Sequence, residues 1–457
     1  MSSKPPSERP RSPLGDPVTS GARHGPALLL AVCLAALPVH GAHGSDHRDA
    51  LAEGLPEFDF DDEPDTSHVL HGPVTYGFEV KVEYEGAFGF DLERGTGRDE
   101  GNVEPSLTAT VSYDPSPRFR AAAEIELSRT YEVHDRHDHD DIELGVKQAF
   151  LTFREFAPGV TVQVGRKTYD DGREWLFDEE LDGVRAVYRW STHAVEGFIA
   201  REALVPVDLL EERDGDDEPV DISYLGATTT LGEDSRATIY ALYSNDRARD
   251  GEDLLFTGVQ SSGEIADDVT YWLEAAVVSG DDDGRDVLGY GVDAGITRVF
   301  DHPLEPALTV GFAYGSGDDG GGTDGAFRQT GLQDNFDRWN GVAGFDYYGE
   351  VLDPELSNLG IATVGAGIRP TKRSSIDLVY HYYFQPERAD RFRGTALDAD
   401  TTGSSGDAGH GLDLILGYRE FDDIEIEIAG GAFLPGAAFG EADDPAFFVG
   451  AAVDIKF

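Results

Sequence analysis

The 457-residue chain is poor in cysteine, methionine and basic residues. It contains one Cys and one Met, and 36 Lys+Arg stand against 88 Asp+Glu, which gives a formal net charge of −52. One Cys cannot form a disulfide within the chain, so a disulfide-stabilised scaffold is excluded. A surface this acidic repels a polyanion, and we therefore expect no nucleic-acid partner.

Long apolar runs are absent as well. No stretch of eighteen apolar residues exists, which excludes a transmembrane helix. Aromatic residues nevertheless make up 10% of the chain and Gly is abundant at 55, unlike the composition of an acidic disordered protein. These features predict a large β protein, soluble or in an outer membrane. Because dense salt screens self-repulsion, the acidity also suits a salt-rich medium, and we expect a halophilic acidic protein.

The N-terminal residues have the order of a secretory signal peptide. Basic residues, among them Arg11 and Arg23, precede an uncharged stretch from Gly25 to Val39, and Ala42 and Gly44 supply small residues for a cleavage site. A buried helix is the alternative. We predict a signal peptide over 1–44, an acidic flexible periplasmic lead-in over 45–72 and a barrel domain over 73–457.

From residue 73 onward, apolar and polar residues alternate with the period of a half-buried strand. Tyr76, Phe78 and Val80 share one face of the first segment, opposite Glu79 and Lys81. Short turns, such as 114–117, 191–192, 370–372 and 421–423, alternate with long acidic or Gly-rich loops, such as 169–181, 316–355 and 386–409. This sorting is typical of an outer-membrane barrel with short periplasmic turns and long extracellular loops. We predict an all-β fold, a transmembrane antiparallel β-barrel of about 18 strands, localised to the outer membrane after secretion.

Basic residues on the inward side of the strands are informative because the chain has so few. Alternation places five of them there: Lys81, Arg120, Lys147, Arg185 and Arg419. A ring of guanidinium groups would select anions, since Arg stays charged and binds a carboxylate through two hydrogen bonds. The alternative is that each cation pairs with an inward carboxylate and neutralises the wall.

Two regions resemble the alginate export family of outer-membrane proteins. One is 165–185, with GRKTYDDGREW and FDEELDGVR; the other is 327–359, with FRQTGLQDN, YYGE and LDPELSNL. The resemblance implies an eighteen-stranded monomeric barrel with an electropositive constriction, through which a uronic-acid polysaccharide such as alginate leaves the cell.

The resemblance also implies site residues. The conduit would be formed by Lys81, Arg166, Arg185, Arg328 and Arg419, with Arg173 at the base of its loop. Asp170, Asp182 and Asp334 would orient these cations. Arg328 reaches the pore only if the long loop 316–355 folds inward.

The sequence departs from the family in one respect. Members dedicated to alginate carry a long periplasmic turn near the C-terminus that plugs the pore, whereas the corresponding turn here is 421–423. Either the predicted number of strands is wrong by one, or this barrel lacks the plug. In the second case the protein would export another polymer or be an anion-selective porin for small acidic solutes or oligosaccharides.

The sequence has two further, weaker candidate sites. The tract 134–141 is rich in His and Asp, but flexible acidic tracts hold metals loosely, so a solvated loop explains it as well. His381 faces inward by alternation without a Ser motif.

We predict a channel and not an enzyme, without metal or other cofactor. The expected partners are an anionic polysaccharide or small acidic solute, outer-membrane lipid, the barrel assembly machinery and periplasmic polysaccharide-export components.

Overall fold

The structure, a computed structural model, describes residues 66, 68–93, 99–133, 140–202, 209–210, 220–232, 234–246, 251–421 and 423–457, with the main chain alone at 140–141. The predicted signal peptide, most of the lead-in and nearly all of the tract 134–141 lie outside these residues. Among the described residues, no helix has the length and apolarity needed to cross a membrane.

Strands make up almost all of the regular structure. In chain order they are β1 (His68–His71), β2 (Val74–Phe88), β3 (Glu100–Ser116), β4 (Phe119–Glu132), β5 (Asp140–Ala157), β6 (Val160–Asp170), β7 (Asp178–Trp190), β8 (His193–Glu202), β9 (Val220–Thr230), β10 (Ser235–Asp246), β11 (Glu252–Ala266), β12 (Val269–Asp282), β13 (Arg285–Val299), β14 (Ala307–Gly315), β15 (Phe336–Asp337), β16 (Phe345–Asp346), β17 (Gly360–Thr371), β18 (Ser374–Phe384), β19 (Asp407–Phe421), β20 (Ile424–Pro435) and β21 (Ala446–Lys456). A short 3-10 helix, Ala437–Phe439, precedes β21.

The strands close into a barrel of antiparallel neighbours. The large sheet has 19 strands, and apart from β1, which pairs with β2, they are the barrel strands β2–β14 and β17–β21. The seam joins β2 to β21, from Glu79 opposite Lys456 to Phe88 opposite Phe447. Within the described residues this gives eighteen barrel strands, and the predicted fold is confirmed. β1 is formed by the last residues of the predicted lead-in.

The outer face of the barrel is apolar. The outward positions of β2 and β3 hold large apolar side chains that are 43–49% exposed: Phe78, Val82, Leu107 and Val111. The alternate residues, which face the inside of the barrel, carry the charges and hydroxyls. Since large apolar side chains on a soluble protein would be turned inward, a closed sheet with this outward band is suited to lipid.

The connections sort by length as the sequence predicted. Residues 117–118, 191–192 and 372–373 form short turns at one end, which is the periplasmic end by the rule for such barrels. The connections 171–177, 316–359 and 385–406 lie at the other end. The strand count predicted from the sequence is therefore confirmed, and β19 ends at Phe421 three positions before β20 begins at Ile424.

The connection 316–359, called the inserted loop below, folds into the barrel. It leaves β14 at the extracellular end, yet its tip reaches the periplasmic turns. There Arg369 Nε donates to the Asn340 carbonyl at 2.6 Å, and Asn340 Nδ2 donates to the Glu305 carbonyl at 3.4 Å. The loop carries the small hairpin β15–β16. Its fully buried Phe327 stacks on Trp175 of the connection 171–177, so the hydrophobic core lies inside the barrel.

Glycines in the wall make room for the inserted loop. A Cβ at Gly417 of β19 would lie 2.6 Å from Val342 Cγ2, and one at Gly431 of β20 would lie 2.7 Å from Val351 Cγ2. Both distances are far below a van der Waals contact. The loop can therefore pack this closely only where the wall has no side chain.

Candidate transport lumen

The part of the lumen beside β2, β3 and β4 remains open and is lined by polar residues. A cavity of about 480 Å³ there is bordered by four inward residues of β3 and β4, Thr108, Thr110, Glu124 and Glu126, and by residues of β2, β21 and the chain terminus. The two hydroxyls donate to the two carboxylates, at 3.2 Å from Thr108 and 3.0 Å from Thr110. Alternation along the strands thus builds a wall of ordered carboxylates.

Two of the predicted conduit cations face this wall. Lys81 Nζ lies 2.9 Å from Glu83 Oε2, and its side chain is 37% exposed. Lys147 Nζ lies 3.2 Å from Glu180 Oε1 and 4.0 Å from Glu126 Oε1, with 38% exposure. Both ammonium groups keep solvent access, so each can exchange its carboxylate partner for a passing anion.

Three of the predicted conduit arginines, on β4, β6 and β7, are buried and paired. Arg166 Nη2 donates to Asp182 Oδ2 at 3.0 Å, and Arg185 Nε donates to Glu196 Oε1 at 2.5 Å. Arg120 Nε donates to Ser112 Oγ at 2.8 Å and lies 3.7 Å from Asp114. These guanidinium groups pair with carboxylates on the same or neighbouring strands, in agreement with the alternative interpretation of the sequence.

Arg173 and Arg328 bind the inserted loop to its surroundings. Arg173 Nη1 donates to Asp293 of β13 at 3.0 Å, and its Nε donates to Asp337 of the loop at 3.1 Å. Arg328, itself in the loop, is 1% exposed, and its Nη1 donates to Glu252 at 2.5 Å and to Asp282 at 2.6 Å at the extracellular ends of β11 and β12. The loop therefore does fold inward, and the Arg328 side chain is buried among carboxylates.

The predicted orienting carboxylates are in three different settings. Asp182 pairs with Arg166, as described above. Asp170 Oδ1 accepts from the Gly172 amide at 2.7 Å and so shapes the connection after β6. Asp334 lies with Glu174 and Asp178 in a group whose carboxylate oxygens are all within 4.8 Å of one another. Burial, and then repulsion by Asp178 and Asp334, raises the pKa of Glu174 to about 9. A shared proton satisfies such a group, so the group alone assigns no metal.

His381 and Ser375, both on β18, serve the packing of the inserted loop. The His381 ring is fully buried, with Nδ1 at 2.9 Å from Thr363 Oγ1 and Nε2 at 3.4 Å from Asp413. Ser375 Oγ accepts from the Val342 amide at 2.9 Å. The two side chains thus have structural partners on β17, β19 and the loop.

Arg419 lies at the periplasmic end beside cations that are not among the predicted conduit residues. Its Nη2 is 3.1 Å from Glu425 and 3.0 Å from Glu427. It borders a cavity of about 380 Å³ together with four other basic residues: Arg338, Arg369, Lys372 and Arg373. The run Arg369-Pro370-Thr371-Lys372-Arg373 holds three cations in a chain with so few, and this clustering is the sequence signal for the cavity.

Comparisons with known proteins agree with this architecture. The chain is 28% identical over 230 residues to the alginate production protein AlgE of Pseudomonas aeruginosa, a match that covers 42% of this chain and 46% of that protein. The chain thus spans less than half the length of this relative.

Solved structures share the fold at low identity. They include Pseudomonas aeruginosa OccK5 (OpdH), with a TM-score of 0.56, 12% identity and coverage of 84% of this chain and 98% of that one. Acinetobacter baumannii OccAB3 gives a TM-score of 0.54, 12% identity and coverage of 84% and 99%. Such likeness shows the barrel fold alone. The model of the alginate export family matches residues 73–447, nearly the whole barrel, and the chain therefore belongs to the alginate export family of outer-membrane proteins.

Proposed function

We propose that this barrel exports an anionic uronic-acid polysaccharide, such as alginate, across the outer membrane. Family membership supports a role in export, and the observation that carries the proposal is the lumen. The inserted loop covers one side, while the side formed by β2, β3 and β4 keeps a cavity of about 480 Å³, and the solvent-accessible Lys147 lies 4.0 Å from Glu126 of its lining. A chain of uronates would pass along this open side.

The predicted conduit residues have two roles in this proposal. Lys81 and Lys147 contact the polymer, because they face the open side and remain accessible. The buried arginines instead hold the wall and the inserted loop in place. Their order comes from charge-assisted hydrogen bonds, which are roughly twice as strong as neutral ones.

The carboxylates of the open side set a condition for export. Glu124 and Glu126 would repel a bare polyanion, so the polymer crosses together with its counterions. In about 1 M salt the screening length falls to ~3 Å, which confines this repulsion to direct contact. Export should therefore become more efficient as the ionic strength rises.

Secretion of polymer by cells tests the proposal. A strain that makes an acidic polysaccharide but lacks its own exporter should release polymer when it expresses this protein. The variant Lys81→Glu/Lys147→Glu should release less, with unchanged amounts of assembled barrel. The control Arg118→Gln, which alters an exposed cation of the turn 117–118, should behave like the wild type. Polymer retained in the periplasm with the wild-type protein would refute export.

A second candidate is an anion-selective porin for small acidic solutes. The inserted loop favours it, because the loop occupies lumen space that a polymer would use. Liposome uptake of glucuronate and of a short oligo-uronate separates the two functions, since a small-solute porin passes only the first. Reversal potentials in a salt gradient then show whether the proposed conduit cations or the wall carboxylates set ion selectivity.

A further inference from the structure

The periplasmic end of the barrel holds a cavity whose lining is dominated by cations. Its volume is about 380 Å³, and its basic side chains are Arg338, Arg369, Lys372, Arg373 and Arg419. Glu425 is the single acidic residue in the described lining. Five of the 36 basic residues of a strongly acidic chain thus border one small space.

Three separate elements bring these cations together. Lys372 and Arg373 form the turn between β17 and β18, and Arg419 lies near the end of β19, where its amide donates to the Arg373 carbonyl at 2.7 Å. Arg338 comes from the tip of the inserted loop. The tip is held there by Arg369, whose Nε and Nη2 donate to the carbonyls of Asn340 and Gly341 at 2.6 and 3.2 Å.

The neighbouring acids only partly balance this charge. Arg419 has Glu425 and Glu427 within salt-bridge distance. Asp377 lies close enough to interact with Arg369, and Glu420 accepts a hydrogen bond from Thr371. Among the described residues, no salt bridge joins a carboxylate to Arg338, Arg369 or Lys372.

We propose that this cavity is the periplasmic receiving site for the anionic polymer and binds a short run of its carboxylates. The inference rests on the proposed export function and assigns where the substrate is first bound. Guanidinium groups bind carboxylates in pairs of parallel hydrogen bonds, and several cations around one space bind adjacent uronates together better than a single acid. The cavity lies at the end from which an exported polymer arrives.

The inserted loop is part of this site. Arg369 donates to two main-chain carbonyls of the loop tip, and a substrate carboxylate is a stronger acceptor than a carbonyl. A polymer that binds Arg369 therefore competes directly with the contact that holds the tip. Arrival of substrate and loosening of the tip are thereby coupled.

Calorimetry on the purified full-length barrel in detergent tests the site. The probes are a short oligo-uronate, a neutral oligosaccharide of the same length, and glucuronate. The wild type should bind the oligo-uronate, should bind glucuronate more weakly, and should not bind the neutral sugar. Lys372→Gln/Arg373→Gln should weaken oligo-uronate binding by about tenfold or more, because each lost charged hydrogen bond removes a contribution of that order.

The matched control is Arg118→Gln/Arg298→Gln, which removes two cations near the same end of the barrel but outside the cavity lining. It should bind the oligo-uronate within about twofold of the wild type, since removal of distant exposed charges costs little. Equal weakening in both double variants, or no binding by the wild type, would overturn the site.

Secretion distinguishes this inference from the proposed function. If cells with the wild-type protein release no polymer while the cavity still binds oligo-uronate, export fails and the site stands. If polymer is released normally by Lys372→Gln/Arg373→Gln, the receiving site fails and export stands. Heat-modifiable migration in gels confirms that each variant has folded.

Discussion

Arg173 shows how a cation is used in this acidic protein. Its guanidinium group joins Asp293 of the wall to Asp337 of the inserted loop, and it lies over the rings of Trp272 and Tyr347, 4.9 and 4.4 Å from the centroids. The side chain is 6% exposed. One residue thus neutralises a buried carboxylate, stacks on two aromatic rings and ties a loop to a strand.

Replacement of Arg173 by Gln should destabilise the protein markedly. Asp293 would remain buried without its partner, and breaking a buried pair in this way costs about 3–5 kcal/mol. The midpoint of heat-modifiable migration measures the loss. Arg173→Gln/Asp293→Asn should regain part of it, because no unpaired charge is left. A midpoint like that of the wild type for Arg173→Gln would show that the pair does not hold the loop.

Carboxyl groups of the inserted loop predict a pH dependence. Burial, and then repulsion by neighbouring acids, raises the pKa of Asp346 to about 8 and that of Glu350 to about 9. A carboxyl group with a raised pKa in the folded state binds more protons than the unfolded chain, so stability falls as pH rises. The fall in stability begins near the ordinary pKa values of Asp and Glu, 3.8 and 4.5, and is complete above about pH 9.

The docked loop should therefore loosen between neutral pH and pH 9, and single-channel conductance should rise. Asp346→Asn/Glu350→Gln should make the conductance less dependent on pH over this range, since these two groups no longer titrate. A wild-type conductance that stays constant or falls with pH would contradict the assignment.

For the strands, the sequence alone was sufficient to predict the inward and outward faces and the positions of short turns. Alternation along β2 and β3 separates Phe78 and Leu107 from Lys81 and Thr108, and the two faces differ in the structure as the alternation requires. The turn at 191–192 was located to the residue. Local period and turn chemistry determine such features, because each depends on residues close in sequence.

The path of the inserted loop could not be obtained in the same way. Its direction depends on partners scattered along the chain, such as Trp272, Gly417 and Arg369, and nothing in the loop sequence identifies them. For the same reason the cavity at the periplasmic end was missed. Arg338 joins the cations of β17, β19 and the turn after β17 only when the inserted loop has folded into the barrel.

A wall glycine provides a test of loop docking. Gly417→Ala should push the loop tip away and raise conductance, because the new Cβ would lie 2.6 Å from Val342 Cγ2 and 2.7 Å from the Ala343 amide nitrogen. The control is Gly430→Ala on the next strand, where the nearest atom is 3.9 Å from the added Cβ. Equal conductance of the two variants would show that the tip does not restrict the channel.

For the whole molecule, the net charge of −52 predicts a dependence on salt. Self-repulsion of carboxylates opposes the folded state, and screening shortens its range from about 8 Å at physiological ionic strength to ~3 Å at 1 M. The midpoint of thermal unfolding should rise when KCl is increased over this range. An unchanged or lower midpoint would show that the acidic residues are already balanced locally.

The predicted domain boundaries also concern the whole molecule. Cleavage after Gly44 stays a prediction, and N-terminal sequencing of the protein from outer membranes should begin at Ser45. A variant with Arg in place of Ala42 should be processed poorly, since a large charged residue does not fit a cleavage site of small residues. A mature protein that retains residues 1–44 would contradict the assignment.

The inserted loop has a consequence for the electrical record of a single channel. Its contacts with the wall are separate from one another: Trp339 stacks on Trp272 at 5.7 Å, the Val342 amide donates to Ser375, and Tyr383 donates to the Tyr348 carbonyl at 2.8 Å. Local openings of a protein differ in free energy from segment to segment. One contact can thus be lost while the others persist, and the current should step between several discrete levels rather than between open and closed alone.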